Sequence, residues 1–313
     1  MIGALPQQPG AYRWWYADAV SADGRDAVVC IFFWGAVFSP YYAGRLRAGA
    51  LPSPGQHAAV HLATYRDGKR TAWLLAERDA SHQPPSSDTF RVGPSSLTLD
   101  RSGKATLEVD DKGPSRLSGR LRLHALEPAL SQEPVALSPG LADHRWHALL
   151  PRARVEVELQ RPGLSFEGCG YLDTNWGSEP MEQRLAGWNW ARTHSEAGTR
   201  VVYDVRARDG RRFVHTLGTG LPLRTDSAIG QPATGITTGW GVALPAALSC
   251  GTQAMGTPGA VIESAPFYAR YDLRDPAGAV CGLGESLDLL RFDRAMVRWM
   301  LRWKTYRHAG SGR

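Results

Sequence analysis

The chain has 313 residues, of which 43% are hydrophobic and 21% charged, and its formal net charge is +6. This composition excludes disorder throughout, and the length predicts two domains or one large β domain. Seven basic residues and one acid lie in residues 291–313, so the remainder is neutral overall, which argues against the wide basic surface of a nucleic-acid-binding protein.

Short strands dominate the predicted elements. An aromatic strand at residues 13–19 precedes an apolar run at 27–38, which is typical of a strand buried on both faces and too short to span a bilayer as a helix. Asp-Gly pairs at 67–68 and 209–210 predict hairpins. The remaining strands are predicted at residues 57–65, 71–78, 96–99, 105–109, 116–124, 154–160, 199–207 and 211–217. Such regular spacing favours β-barrels or sandwiches.

The last predicted element is basic and aromatic. Arg294, Arg298 and Arg302 are four residues apart and share one face of a helix, with Trp299 and Trp303 elsewhere on the wheel. Arginine and tryptophan on an amphipathic helix suit a membrane interface. A terminal helix or strand docked on its own barrel, with a solvated arginine face, is the alternative.

Several classes of site are not supported by the sequence. The motifs GxSxG, HExxH and the P-loop are absent, and no GxGxxG follows a strand. Four cysteines occur without a CxxC pair or zinc spacing, so we expect neither a metal site nor a disulfide framework. No secretion signal is evident at the amino terminus, and we therefore expect a cytoplasmic protein.

One window concentrates rare residues. The two asparagines of the chain, Asn175 and Asn189, both lie within residues 168–194, together with Trp176, Trp188 and Trp190. A residue type that the sequence otherwise avoids, kept twice in one window, indicates a specific role.

The same window contains a candidate acid. Asp173 lies in the block GYLDTNWG at residues 170–177. Aromatic surroundings desolvate a carboxyl group and keep it protonated, and an amide such as that of Asn175 orients it. Aromatic faces stabilise a nearby cation. The combination suits protonation of an electron-rich alkene. Alternatively, Asp173 and Asn175 cap a turn while the tryptophans fill the core.

The sequence resembles the carotenoid 1,2-hydratase family, also called the hydroxyneurosporene synthase family, over about residues 11 to 300. The resemblance is carried, in the family's order, by WWYADA at 14–19, FSPYY at 38–42, VGPS at 92–95, HRW at 144–146, PRARVEV at 151–157, GYLDTNWG at 170–177 and WNWAR at 188–192. The same blocks mark, more loosely, a lipocalin-like superfamily that includes cofactor-free Diels–Alder cyclases.

The resemblance implies an all-β fold of two tandem lipocalin-like antiparallel β-barrels. We expect an amino-terminal barrel over residues 1–180 and a carboxyl-terminal barrel over 181–313 that ends in the short basic amphipathic segment. It also implies a cofactor-independent hydro-lyase. Water adds across the terminal C1=C2 bond of an acyclic carotenoid such as neurosporene or lycopene, by acid protonation, a tertiary carbocation and water capture.

Site roles follow from the same resemblance, with Asp173 as the proton donor. The residues expected to bind substrate or the cation are Tyr171, Asn175, Trp176, Trp188, Trp190, Tyr203, Tyr41, Tyr42 and Trp15. Those expected to position water or relay a proton are Asp18, Glu179, Glu182 and His194.

A carotenoid substrate also implies a membrane partner. Because the substrate partitions into the bilayer, we expect peripheral contact with the inner or photosynthetic membrane. The expected contact residues are Arg294, Arg298, Trp299, Arg302 and Trp303. Two other functions stay open: a pericyclase or other isoprenoid-modifying enzyme on the same scaffold, and a non-catalytic carrier of carotenoid or lipid.

Overall fold

The computed structural model describes residues 2–81, 83, 88–111, 113–131, 133–141 and 143–308. The described chain divides into two compact units. Unit 1 comprises Met1–Ala129, Trp146–Pro180 and Trp299–Arg313, and unit 2 comprises Leu130–Arg145 and Met181–Arg298. Both units are built mainly from antiparallel strands, which confirms the predicted all-β class. The domains at 1–180 and 181–313 stay a prediction.

The first sheet carries unit 1. Its strands are β1 (Tyr12–Ser21), β2 (Asp26–Trp34), β3 (Ala58–Arg66), β4 (Lys69–Arg78), β5 (Thr89–Val92), β6 (Ser95–Leu99), β7 (Lys104–Asp110), β8 (Ser118–Ala125), β9 (Val135–Ala136), β10 (His144–Arg161), β11 (Leu164–Gly177) and β22 (Tyr306–Arg307). They are ordered β22-β4-β3-β2-β1-β11-β10-β8-β7-β6-β5, with β9 beside β10. The β22–β4 pair is parallel.

The two faces of this sheet differ. Side chains alternate along each strand, so Trp15 and Ala17 of β1 share one face with Leu172 of β11, and all three belong to the hydrophobic core of unit 1. Tyr16 and Asp173 are paired across the same two strands and face the opposite way. The candidate site therefore lies on the face of the sheet opposite the hydrophobic core.

A helix lies between strands β2 and β3 of unit 1. Helix α1 (Pro40–Arg47) begins after Ser39, whose side chain accepts a hydrogen bond from the backbone N–H of Tyr41. A serine N-cap followed by proline in the first turn is a regular helix start. The predicted strand at 27–38 ends at Trp34 instead, because Gly35 has φ of 71° and turns the chain.

The second sheet carries unit 2. Its strands are β12 (Leu185–Ser195), β13 (Gly198–Ala207), β14 (Arg211–Gly218), β15 (Leu221–Ile229), β18 (Leu248–Cys250), β19 (Gln253–Ala265), β20 (Tyr268–Arg274) and β21 (Val280–Asp288). They are ordered β15-β14-β13-β12-β21-β20-β19-β18, and a small separate sheet pairs β16 (Thr234–Thr237) with β17 (Ala243–Pro245). One face holds the core of unit 2, which includes Ala191, Val202 and Tyr271.

Two helices lie near the carboxyl-terminal end of the described chain. Helices α2 (Leu289–Phe292) and α3 (Ala295–Lys304) precede β22, and 3₁₀ turns occur at Pro54–His57 and Met181–Gln183. Helix α3 confirms that the basic aromatic segment is helical. In the described part of the chain, no helix is both long and apolar enough to cross a membrane.

The two Asp-Gly hairpins are confirmed as β3–β4 and β13–β14, and the pair at 96–99 and 105–109 is confirmed as β6–β7. Strand β10 is longer than the predicted 154–160. The sequence pattern predicts only the second half of the strand, because Pro151 interrupts the apolar alternation before residue 154.

Candidate active site

Strand β11 brings an acid, an amide and a phenol to one face of its sheet. Tyr171, Asp173 and Asn175 are two residues apart, so their side chains point the same way. All three are buried, with Asp173 only 3% exposed. A strand thus assembles the polar groups that the sequence window concentrates.

Three hydrogen bonds converge on the carboxyl group of Asp173. Trp146 Nε1 donates to Oδ2 at 2.9 Å, and the Tyr171 hydroxyl donates to the same oxygen at 2.9 Å. Asn175 Nδ2 donates to Oδ1 at 3.1 Å. Burial opposes the ionised form of a carboxyl group, whereas donated hydrogen bonds stabilise it. The site therefore combines a dry environment with a ready set of donors for the carboxylate.

Strand β1 supplies the neighbours of this acid. Tyr16 lies opposite Asp173 in the strand register, and Asp18 lies opposite Tyr171. The rings of Tyr16 and Tyr171 meet edge to face with centroids 6.3 Å apart. Burial raises the pKa of Tyr171 well above its usual range. The phenol consequently stays protonated and able to donate.

Next to β1, strand β2 continues the same face with apolar side chains. Val29, Ile31 and Phe33 lie opposite Asp18, Tyr16 and Trp14 in the register. On one side of the candidate acid, β1 thus presents Tyr16 and Trp14, and β2 presents a row of apolar side chains.

Two of the predicted aromatic residues lie on the other face of the sheet. The guanidinium of Arg13 lies 5.0 Å from the ring of Trp15 and 4.8 Å from that of Trp176. Burial lowers the pKa of Arg13 to about 10. These two rings already hold a cation of the protein itself, so the structure does not bring Trp15 or Trp176 to Asp173.

A second aromatic group lies in unit 2. Trp190 and Tyr203 are paired across β12 and β13, and the ring of Trp188 meets that of Tyr203 at 6.0 Å. His144 stacks on Trp188 at 6.1 Å, and burial lowers the pKa of His144 to about 3. Unit 2 therefore carries its own buried cluster of aromatic rings with a neutral imidazole.

The other predicted polar residues are spread over separate places. His194 Nδ1 lies 3.0 Å from the Thr199 hydroxyl in the β12–β13 hairpin. Glu179 is half-buried in the segment after β11. Glu182 lies in the Met181–Gln183 turn, where burial raises its pKa to about 7. Asp18 is the one predicted relay residue that shares a face with Asp173.

Tyr41 and Tyr42 belong to a buried ionic cluster around Glu77. His57 Nδ1 lies 2.6 Å from Glu77 Oε1, and the ring of Tyr42 meets that of His57 at 5.5 Å. Ser39 and Arg307 also donate to the Glu77 carboxylate, and Arg307 lies 5.5 Å from the ring of Tyr41.

The Glu77 cluster is not a nucleophilic triad. The Ser39 hydroxyl donates directly to Glu77 rather than to His57, so the histidine is not placed to remove the proton of the serine. The cluster instead joins the start of α1, strand β4 and the terminal strand β22. Within the described ranges, no group of three or more His, Cys, Asp or Glu residues could hold a metal ion.

Helix α3 separates the predicted membrane residues into two groups. Trp299 and Trp303 are 58% and 77% exposed, and Arg294 and Arg302 are exposed as well. Arg298 is buried and donates to the backbone oxygen and Oδ1 of Asp293 at 2.6 and 3.0 Å. The expectation for Arg298 is corrected here, because its side chain is engaged within the protein.

Trp146 and Tyr16 are residues of this site that the sequence does not predict. The indole of Trp146 contacts Asp173 across 27 positions of sequence, through a strand whose start was not predicted. The block HRW at 144–146 carries part of the family resemblance, but nothing local in it indicates the partner of the indole N–H.

The chain is similar to known proteins of one enzyme family. Residues 30–312 match the model of the carotenoid hydratase CrtC family. The chain is 38% identical to the acyclic carotenoid 1,2-hydratase of Rubrivivax gelatinosus, over 97% of this chain and 75% of that protein. It is 35% identical to the acyclic carotenoid 1,2-hydratase of Thiocapsa roseopersicina, over 96% of this chain and 74% of that protein.

The fold also has a relative among solved structures. A crystal structure of an AttH-type protein from Nitrosomonas europaea superposes with a TM-score of 0.61 at 15% identity, covering 88% of this chain and 92% of that chain. This likeness concerns the fold alone, and it confirms the predicted lipocalin-like architecture. From the family match and the two relatives, the chain belongs to the carotenoid hydratase CrtC family.

Proposed function

We propose that this protein adds water across the terminal C1=C2 double bond of an acyclic carotenoid such as neurosporene or lycopene. The observation that carries the proposal is the buried Asp173 carboxyl group with its three donors. The activity for which the two hydratase relatives are named supports the class of substrate.

The first step is proton transfer from Asp173 to C2. The π electrons of C1=C2 form the new C–H bond, and the positive charge remains on C1, which carries three carbon substituents. A tertiary cation is the more stable of the two that protonation can give, so oxygen ends on C1. Water then bonds to C1, and the proton it loses restores the acid.

The hydrogen bonds support one position for the acidic proton. An indole N–H can only donate, so Trp146 keeps Oδ2 of Asp173 as an acceptor. We therefore assign the proton of the neutral acid to Oδ1, whose remaining lone pair accepts the hydrogen bond from Asn175 Nδ2.

The same donors stabilise the product of proton transfer. When Asp173 loses its proton, Trp146, Tyr171 and Asn175 all donate to the carboxylate. Preorganised donors that act on charge as it develops lower the barrier most effectively in a dry site. In this proposal, burial disfavours the anion before reaction, and the donors stabilise the anion once it has formed.

Two further groups on this face complete the proposed site. The rings of Tyr16 and Tyr171 are our candidates to stabilise the cation by their π faces. Asp18, opposite Tyr171, is our candidate to hold the water. The roles of Trp188, Trp190, Tyr203, His194, Glu179 and Glu182 in binding or relay stay predictions.

Incubation with lycopene and neurosporene in D2O tests the function and the acid together. The expected product is heavier by one D2O, with one deuterium fixed at C2, and Asp173→Asn abolishes it. Hydration that survives in Asp173→Asn would remove Asp173 from its role. Bound but unchanged carotenoid would favour a carrier, and a rearranged product without added water a pericyclase.

We also propose that the reaction needs no bound cofactor, because the steps consume only water, return the proton to Asp173 and involve no external oxidant or reductant. Protein that has been treated with a chelator and gel-filtered is expected to keep its full rate. Loss of activity that a metal or a small-molecule extract restores would contradict this.

We further propose peripheral contact with the cytoplasmic face of an anionic membrane through helix α3. Trp299 and Trp303 are exposed side chains that suit the bilayer interface, and Arg294, Arg302 and Lys304 add positive charge beside them. Arg298 is excluded from this surface by its burial.

A further inference from the structure

Strand β15 forms one edge of the second sheet and is unusually exposed. In the described part of the chain, its ladder partner is β14 alone. Eight of its nine residues are exposed, including Leu221 at 37%, Leu223 at 41% and Ile229 at 90%. Soluble proteins normally cover, shorten or charge such an edge, because its free backbone groups pair readily with another strand.

The outward backbone groups of β15 can be identified. The N–H of Gly230 donates to the carbonyl of Gly210, one step beyond the Arg211–Ile229 pair. Backbone groups alternate in direction along an antiparallel strand. Residues 224, 226 and 228 therefore bond to β14, while residues 225, 227 and 229 direct their N–H and C=O groups away from the sheet. Pro222, which has no N–H, lies outside this stretch.

The charges of β15 are self-complementary. Antiparallel pairing of two copies about Thr225 places Arg224 of each copy directly opposite Asp226 of the other, twice over. The same register places Ile229 beside Leu221 of the second copy. Opposite charges and apolar side chains across a strand pair are both stabilising. A two-fold axis requires this kind of self-matching surface.

Both charges are also available. Arg224 and Asp226 are exposed, and neither forms an ion pair or side-chain hydrogen bond with any described residue. The neighbouring Arg212 of β14, by contrast, is held by Asp204 at 2.6 Å. We infer that β15 is a homodimer interface, in which two copies join their second sheets edge to edge about Thr225. The inference is independent of the hydratase activity.

Charge exchange tests this interface. Sedimentation velocity over a concentration series should show a monomer–dimer equilibrium for the unaltered protein. Arg224→Asp and Asp226→Arg each place like charges opposite one another, and each should weaken dimerisation at least about tenfold. Mixing the two variants restores both ion pairs, so native mass spectrometry should show the heterodimer. The double variant with both changes should again form a homodimer.

Glu196→Arg, an exposed change in the β12–β13 turn, controls for charge alone and should leave dimerisation unaltered. Circular dichroism and melting temperature establish that each variant is folded. A protein that stays monomeric at every concentration would overturn the inference. So would a dimer that neither single variant weakens, or a mixture that forms no heterodimer.

Discussion

At the scale of single residues, the candidate site depends on which atoms donate to Asp173. The two carboxyl oxygens differ in their donors, because Trp146 and Tyr171 donate to Oδ2 whereas Asn175 donates to Oδ1. A carboxyl group that was merely buried would be a weak acid with no support for its anion. The indole of Trp146 is therefore as informative about the chemistry as the acid itself.

Trp146→Phe keeps a large apolar ring and removes the N–H donor. A hydrogen bond to a charged group contributes about 2 kcal/mol, so kcat for lycopene should fall roughly 30-fold. KM should change little, because the lost bond strengthens only as the carboxylate develops. Steady-state kinetics with detergent-dispersed lycopene measures both.

Trp34→Phe is the matched control. Trp34 is also a buried indole of unit 1, and its N–H donates to the backbone oxygen of Pro6 at 2.7 Å. Both changes should lower the melting temperature to a similar degree, whereas kcat should fall only for Trp146→Phe. Equal losses of kcat would assign Trp146 a structural role.

Glu182 makes stability depend on pH. Its pKa rises from 4.5 to about 7 on folding, chiefly by burial. Below pH 4.5 the carboxyl group is neutral in both states and costs nothing. Between pH 4.5 and 7 it ionises only in the unfolded chain, so the folded state loses stability as pH rises, and the loss is complete above pH 7.

Glu182→Gln removes this loss. At pH 8 the variant should be about 2 kcal/mol more stable than the unaltered protein, less than the full shift implies because the side chain is partly exposed. At pH 4 the two should be alike. Urea unfolding at both pH values measures the difference, with Glu196→Gln as an exposed control. A gain of equal size at both pH values would contradict the prediction.

At the scale of elements, the site depends on close pairing of β1 with β11. A Cβ atom at Gly170 would lie 2.3 Å from Val155 Cγ2 and 2.6 Å from the backbone oxygen of Asp18. Neither contact is tolerated, so the pairing that aligns Asp18 with Tyr171 requires glycine at this position.

Gly170→Ala should therefore lower both stability and activity. The free energy of unfolding is expected to fall by about 2 kcal/mol through overpacking, and hydration should slow because β1 is displaced beside Tyr171. Urea unfolding and kcat are the measurements. Gly239→Ala, where no atom lies within 4 Å of the added carbon, is the control. A fully active Gly170→Ala variant would show that the β1 register does not set the site.

The elements also show what local sequence can and cannot predict. Asp-Gly turns and alternation located most hairpins, and alternation along β11 is enough to align Tyr171, Asp173 and Asn175. Helix α1 was missed although Ser39 and Pro40 form a regular helix start, because the apolar run before them predicted a continued strand. The bond from Trp146 and the placement of Trp176 beside Arg13 depend on strand order, which periodicity does not encode.

At the scale of the whole molecule, the net positive charge is concentrated at the carboxyl-terminal end of the chain. Net positive charge resides in residues 291–313, and the acid of that segment, Asp293, is held by Arg298 and Arg208. The free charges of helix α3 are therefore basic, and they lie beside exposed tryptophans. Such a helix combines apolar insertion with attraction to anionic lipid.

Vesicle binding can distinguish the contribution of the tryptophans from that of the basic residues. Trp299→Ala should weaken binding to vesicles of anionic phospholipid about tenfold, and Trp303→Ala likewise, since burial of a large apolar side chain contributes about 1.5–3 kcal/mol. Added salt should weaken binding of the unaltered protein and of both variants alike, because it screens the basic residues and not the rings.

Trp240→Ala, which removes another tryptophan that is 49% exposed, is the control and should bind normally. Equal losses for all three changes, or equal binding to neutral and anionic vesicles, would contradict a surface formed by α3. Hydration of detergent-dispersed lycopene should be unaffected in the two α3 variants, since detergent delivers the substrate without the membrane.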